Sequence, residues 1–161
     1  MNANDLLQQG FTGGIPFSAL RTGRSQLPEA AGVYAVVRRA AEPPTFLHRS
    51  TGRDGRRGDP TVDQPRLAEN WVDGVEVVYV GMASLRASGK GLRNRVGELL
   101  HFGAGKADKH WGGRFLWQLA DAEQMDVYWK LDAEPRTAER EILAHFGARN
   151  DGRRPFANLV D

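Results

Sequence analysis

Gly32-Val33-Tyr34-Ala35-Val36-Val37 and Val75-Glu76-Val77-Val78-Tyr79-Val80 are the two stretches on which the fold reading turns. Both are rich in β-branched and aromatic residues, which suit a pleated, half-buried surface. Pro28 and Gly32 punctuate the start of the first. Asp73-Gly74 opens the second and Gly81 stops it, so each reads as a strand. Met125 to Leu131 alternates, with Val127, Trp129 and Leu131 on one side, and reads as a third strand.

Other segments carry a helical period. Leu92 to Phe102 sets Leu92, Val96, Leu99 and Leu100 at helical spacing, and Gly113 to Ala120 suggests a second helix. Thr137 to Ala148 reads as a third, opened by Pro135 and a polar first turn. The order strand, strand, helix, helix, strand, helix lacks a βαβ rhythm. The class expected is α+β: one domain over residues 1–161, built on a small three-stranded, mostly antiparallel sheet flanked by helices. A chain of 161 residues is long enough to bury a real core.

Residues 1–27 read as an N-terminal arm, broken by Gly10, Gly13 and Gly14, with a short helix or turn over Ile15 to Leu20. Residues 40–73 read as an insertion between the first two strands. Its middle, Arg49 to Pro60, is polar, glycine-rich and charged, the composition of a mobile loop. The apolar tail Arg153 to Val160 is expected to fold back on the core. No apolar run approaches the roughly 18 residues of a membrane span. The first residues lack a basic region followed by an apolar stretch, so no secretory leader is expected. There are no cysteines, which excludes disulfides and thiolate metal sites and fits a cytoplasmic location. Net charge is only +2, but Arg far outnumbers Lys among the 22 basic residues, and Arg grips phosphate bidentately. Codon bias accounts for much of that excess.

Gly32-Val33-Tyr34 and Tyr79-Val80-Gly81 each sit in a strand. Leu92-Arg93-Asn94-Arg95-Val96 follows, then a helix containing Glu139, then Pro155-Phe156-Ala157-Asn158. In order and context this pattern resembles the GIY-YIG nuclease family, over roughly residues 30–160. The resemblance implies an endonuclease that hydrolyses phosphodiester bonds in nucleic acid, DNA ahead of RNA, with Mg²⁺ or Mn²⁺ held mainly by Glu139. Tyr34 and Tyr79 match the signature tyrosines, Arg95 the helix-start arginine, and Asn158 the late asparagine. Tyr34 is then expected to orient or deprotonate the attacking water, Tyr79 to contact phosphate, and Asn158 to position a backbone strand or the glutamate. The chain departs from the pattern in three places. A long connection separates the tyrosines where the family has a short hairpin, and extra residues, Ser84 to Lys90, precede the helix. Leu99 stands where several family nucleases carry His or Tyr, which leaves the water-activating group unassigned.

Helix phase tests two of these residues independently. With Glu139 at zero, Ile142 falls at about 300°, Leu143 at about 40° and Phe146 at about 340°, so Glu139 lies within an apolar face, whereas Glu141 falls at about 200°. A carboxylate on a buried face needs a partner, a metal or an Arg. With Leu92 at zero, Arg95 falls at about 300°, on the rim of the apolar face, and Arg93 at about 100°, on the opposite rim. A rim arginine packs its stem while its head reaches an adjoining cleft. His101 faces solvent on the same count.

For gripping a backbone, the expected residues are Arg53, Arg56 and Arg57 of the inserted loop, Arg93, and Lys106, Lys109, His110 and Arg114 of a basic, glycine-flexible stretch containing Trp111. Two other readings share the fold: a catalytically degenerate module that binds nucleic acid, and an interaction module that binds a protein. The histidines at 48, 101, 110 and 145 lack zinc-ligand spacing, and Gly89-Lys90-Gly91 is not a P-loop.

Overall fold

The computed structural model describes residues 1–85, 91–106 and 110–159. The molecule is α+β, with a four-stranded antiparallel sheet of order β1-β4-β2-β3. The strands are β1 (Thr12–Pro16), β2 (Gly32–Val37), β3 (Val77–Ala83) and β4 (Asp126–Leu131). The helices are α1 (Ala3–Gln8), α2 (Phe17–Thr22), α3 (Gln64–Asn70), α4 (Gly91–Gly103) and α5 (Pro135–Ala148), with a 3₁₀ helix over Trp111–Gln118. Among the described residues no helix is long and apolar enough to cross a membrane.

β2 is buried along its whole length, and its alternation divides the core in two. Tyr34 and Val36 join one cluster with Leu20 of α2, Leu92 and Val96 of α4, and Trp117 of the 3₁₀ helix. Val33, Ala35 and Val37 join a second, with Leu6 of α1 and Ile142 and Phe146 of α5. β3 carries a bulge: Val36 pairs with Tyr79 but Val37 pairs with Val77. Tyr79 shares a face with Tyr34 through its pairing with Val36, and the extra residue, Val78, joins the same core cluster.

Three expectations need correction. The sheet has four strands, not three, because the N-terminal arm supplies β1 as well as α1 and α2. β1 reads Thr-Gly-Gly-Ile-Pro, a poor strand sequence, but Gly13 and Gly14 leave room for the rings of Trp129 and Tyr128 on β4. The inserted segment is likewise tied down. Arg53 N–H donates to Phe102 O and Thr51 N–H to Trp117 O, Asp54 is buried, and the buried Gln118 amide holds both Val62 and Leu47. The expected helix over 113–120 is the 3₁₀ helix, whose paired glycines at 112 and 113 disfavour a regular α-turn.

The tail folds back as its apolar content predicts. Ala157 N–H donates to Val78 O, and the Asn158 side chain brackets Val80, its Oδ1 accepting from Val80 N–H at 2.8 Å and its Nδ2 donating to Val80 O at 2.7 Å. This covers part of the free edge of β3.

Candidate active site

Tyr79 from β3, Arg95 and Glu98 from α4, and Glu139 from α5 line one cleft of about 200 Å³, walled by Met82, Ala83 and Gly91. Glycines make the convergence possible. A Cβ at Gly81 would lie 2.6 Å from Tyr34 Cζ, so only glycine lets the phenol cross β3. Gly91 sits at φ +37° against the backbone of Ala30, which accepts from Leu92 N–H at 2.9 Å and seats the start of α4 beside β2.

Arg95 is 29% exposed and donates from Nη1 to Glu98 Oε2 at 2.6 Å. Glu98 also accepts from Asn94 Nδ2 at 3.0 Å. Glu139 is half-buried, and burial, opposed by Arg136 and Arg95, holds its carboxyl above the ordinary range. Glu141 is exposed and faces a separate groove with His145 and Lys130, as the helix phase implies.

Tyr34 is fully buried and does not line the cleft. It stands behind Tyr79, with ring centroids 6.0 Å apart. Its hydroxyl lies 3.1 Å from His110 Nε2. His110 is 1% exposed, and burial followed by the charge of Arg95 lowers its pKa to about 3. The imidazole is therefore neutral. Its Nδ1 has no hydrogen-bond partner, so the tautomer carrying the proton on Nε2 leaves only a lone pair unmet. In that tautomer Nε2–H donates to the Tyr34 oxygen, and the Tyr34 proton turns to Tyr79. Both phenols have raised pKa values. For Tyr34 the causes are burial, then repulsion by Tyr79, against attraction by Arg95. For Tyr79 burial again dominates, with Arg95 and the hydrogen bond from Tyr34 lowering it. Both tyrosines are held protonated at neutral pH, and Tyr34, expected to orient or deprotonate the attacking water, is buried behind Tyr79 and does not line the cleft.

Several residues expected at the nucleic-acid surface do other work. Arg93 is a staple: Nε donates to Leu27 O, Nη1 pairs with Glu29 and Nη2 donates to Ser25 O. His110 is buried beside the tyrosines instead of exposed. Asn158, expected to position a backbone strand or the glutamate, brackets Val80 of β3 and lies outside the Glu139 cleft. Arg53, Arg56 and Arg57 are exposed on the anchored turn closed by Asp54, and none lines the cleft. Arg57 and Arg114 both rest over the Trp111 ring, at 5.1 and 4.7 Å from its centroid. Lys106 is exposed beyond the end of α4, and Lys109 lies outside the described residues.

Among the described residues no three His, Asp or Glu side chains form a ready-made metal cage. The cleft still offers what a hard cation accepts: the Glu139 carboxylate with space for water, beside a Glu98 carboxylate already paired with Arg95, while the Met82 thioether in the wall is too soft a donor to compete. Such an ion also meets a need of Glu139, whose charge burial disfavours. Compared with protein-family models, with curated proteins and with solved structures, the chain matches none.

Proposed function

We propose that the chain is a metal-dependent endonuclease of the GIY-YIG kind, hydrolysing phosphodiester bonds in nucleic acid, with DNA favoured over RNA. The observation that carries the reading is the meeting of Tyr79, Arg95 and Glu139 in one cleft, although each comes from a different element. Glu139 would hold Mg²⁺ or Mn²⁺, and such an ion supplies Lewis acidity at the phosphoryl and leaving oxygens. Arg95 donates charge-assisted hydrogen bonds to the phosphoryl oxygens, and these strengthen as negative charge builds in the transition state. Tyr79, kept protonated by its surroundings, orients the attacking water or a phosphate oxygen. Tyr34 and His110 hold the Tyr79 hydroxyl from behind.

The ion pair of Arg95 with Glu98 favours a second reading, a catalytically inert module that binds nucleic acid or a protein, because a carboxylate already occupies the guanidinium at 2.6 Å. Incubation with plasmid, single-stranded DNA and RNA, each with Mg²⁺, Mn²⁺ or EDTA, separates the two. Metal-dependent cleavage lost in Glu139→Gln supports the nuclease. Binding without cleavage under every condition supports the inert module.

A further inference from the structure

Three arginines line a groove of about 620 Å³ between α2 and α4, and they are not equivalent. Arg21 is spent on structure: it pairs with Glu123, donates to Leu100 O at 2.7 Å and lies over Trp117. Arg93 is spent on Glu29 and two backbone carbonyls. Arg24 is different. It is half-buried, yet its side chain makes no ion pair or hydrogen bond with any described residue, although its carbonyl accepts from Leu27 N–H. Its stem lies over Gly97, where a Cβ would come within 3.3 Å of its Nε. The glycine thus gives the guanidinium a backbone floor to rest on.

The groove also has a direction. Asn94 and Glu98 line both it and the cleft that holds Tyr79, Arg95 and Glu139, so the two are continuous along α4. The carboxylate at the junction, Glu98, is offset by Arg95 and Asn94. A chain leaving the cleft along this face next meets Arg24, with Thr22, Ser25 and His101 around it.

We propose that the α2–α4 groove binds the sugar-phosphate backbone adjoining the scissile bond, with Arg24 as its phosphate contact. The proposal rests on the nuclease reading of the neighbouring cleft. A guanidinium without an acid partner can neutralise a phosphate and displace its condensed counterion outright, whereas Arg21 and Arg93 must first give up existing bonds. A contact this far from the reacting atoms is made equally in ground and transition states, so its loss falls on KM rather than kcat.

The test uses the full chain in a Glu139→Gln background, so that binding is read without cleavage. Anisotropy of a fluorescein-labelled 20-nucleotide DNA, single-stranded and duplex, is followed across salt. Arg24→Ala is expected to reduce the slope of log K against log salt by about 0.7 for single strands and about 0.9 for duplex. Arg24→Lys should restore most of it, which a packing role would not. Arg149→Ala, in the groove beside Glu141 and His145, should leave it unchanged. An unchanged slope in Arg24→Ala overturns the groove proposal even if the wild type cleaves DNA. A reduced slope supports it even if the wild type cleaves nothing, an outcome that would sink the nuclease reading alone. Equal displacement of the DNA by polyglutamate, at matched charge, also overturns the proposal, since it would mark a site for acidic peptides.

Discussion

Glu139 and Glu141 stand two residues apart on α5 and line different grooves. Glu139→Gln nearly preserves shape but removes the charge that would hold a divalent ion. Turnover should fall to background, and thermal stability should hold or rise, because burial penalises the carboxylate that is removed. Glu141→Gln should alter neither. Equal cleavage by wild type and Glu139→Gln would sink the metal assignment. Arg95→Ala should slow cleavage by at least about 10²-fold, the usual scale for one transition-state donor, while metal binding measured by calorimetry persists. Loss of metal binding in that variant would show instead that Arg95 holds the cleft around Glu139 in shape. Glu139 and Arg95 were legible in the sequence because a helix has a fixed angular step, so two residues could be phased against apolar neighbours. His110 was not. It looks like part of a basic loop, and only the close approach allowed by Gly113, whose Cβ would lie 3.0 Å from His110 Nδ1, buries it beside Tyr34. The His-Trp-Gly-Gly sequence was the available signal.

β3 shows how an element imposes its geometry on the site. Its pairing with β2 sets Tyr79 opposite Val36 on the face of Tyr34, and its Gly81 admits the Tyr34 ring. Its outer edge is held by Asn158, whose amide meets both polar groups of Val80. Asn158→Ala leaves that N–H and C=O without their protein partner, at a cost of about 1–3 kcal/mol. The expected readout is a lower midpoint in chemical denaturation with an unchanged m-value. A midpoint matching the wild type would mean that water replaces the amide without loss. β2 and β3 were legible because β-branched runs bounded by Gly and Pro have few alternatives. β1 was not, since its glycines carry no strand propensity and are explained only by the β4 rings that cover them. The bulge was equally hidden, because Val78 continues an apolar run that looks regular.

At the scale of the molecule, the sheet separates two cores, and the one containing Tyr34 and Tyr79 also surrounds a titratable group, His110. That makes global stability depend on pH with a definite sign. His110 has a folded pKa of about 3 against an ordinary 6.5, so its contribution is fully present above 6.5 and is lost as pH falls toward 3. Within that window the unfolded chain binds one more proton, and stability should decline by about 1.4 kcal/mol per pH unit. Asp54, lowered by its bonds to the Arg57 and Arg56 amides despite burial, adds a loss of the same sign, confined to pH below the ordinary Asp value of 3.8. Glu139 and Asp126 have raised pKa values and act oppositely as pH rises above the carboxylate range. These carboxylates are common to the wild type and His110→Gln, so the difference between the two profiles isolates the imidazole. Gln retains a polar group near the Tyr34 hydroxyl but has no charge to acquire. Urea denaturation from pH 7.5 to 4.5 should show the wild type losing stability on the acid side more steeply than His110→Gln, with the curves diverging below pH 6.5. Parallel curves would mean that His110 protonates in the folded protein as readily as in the unfolded chain. The buried, neutral imidazole behind Tyr34 would then be wrong, and with it the support that His110 gives to the Tyr79 hydroxyl.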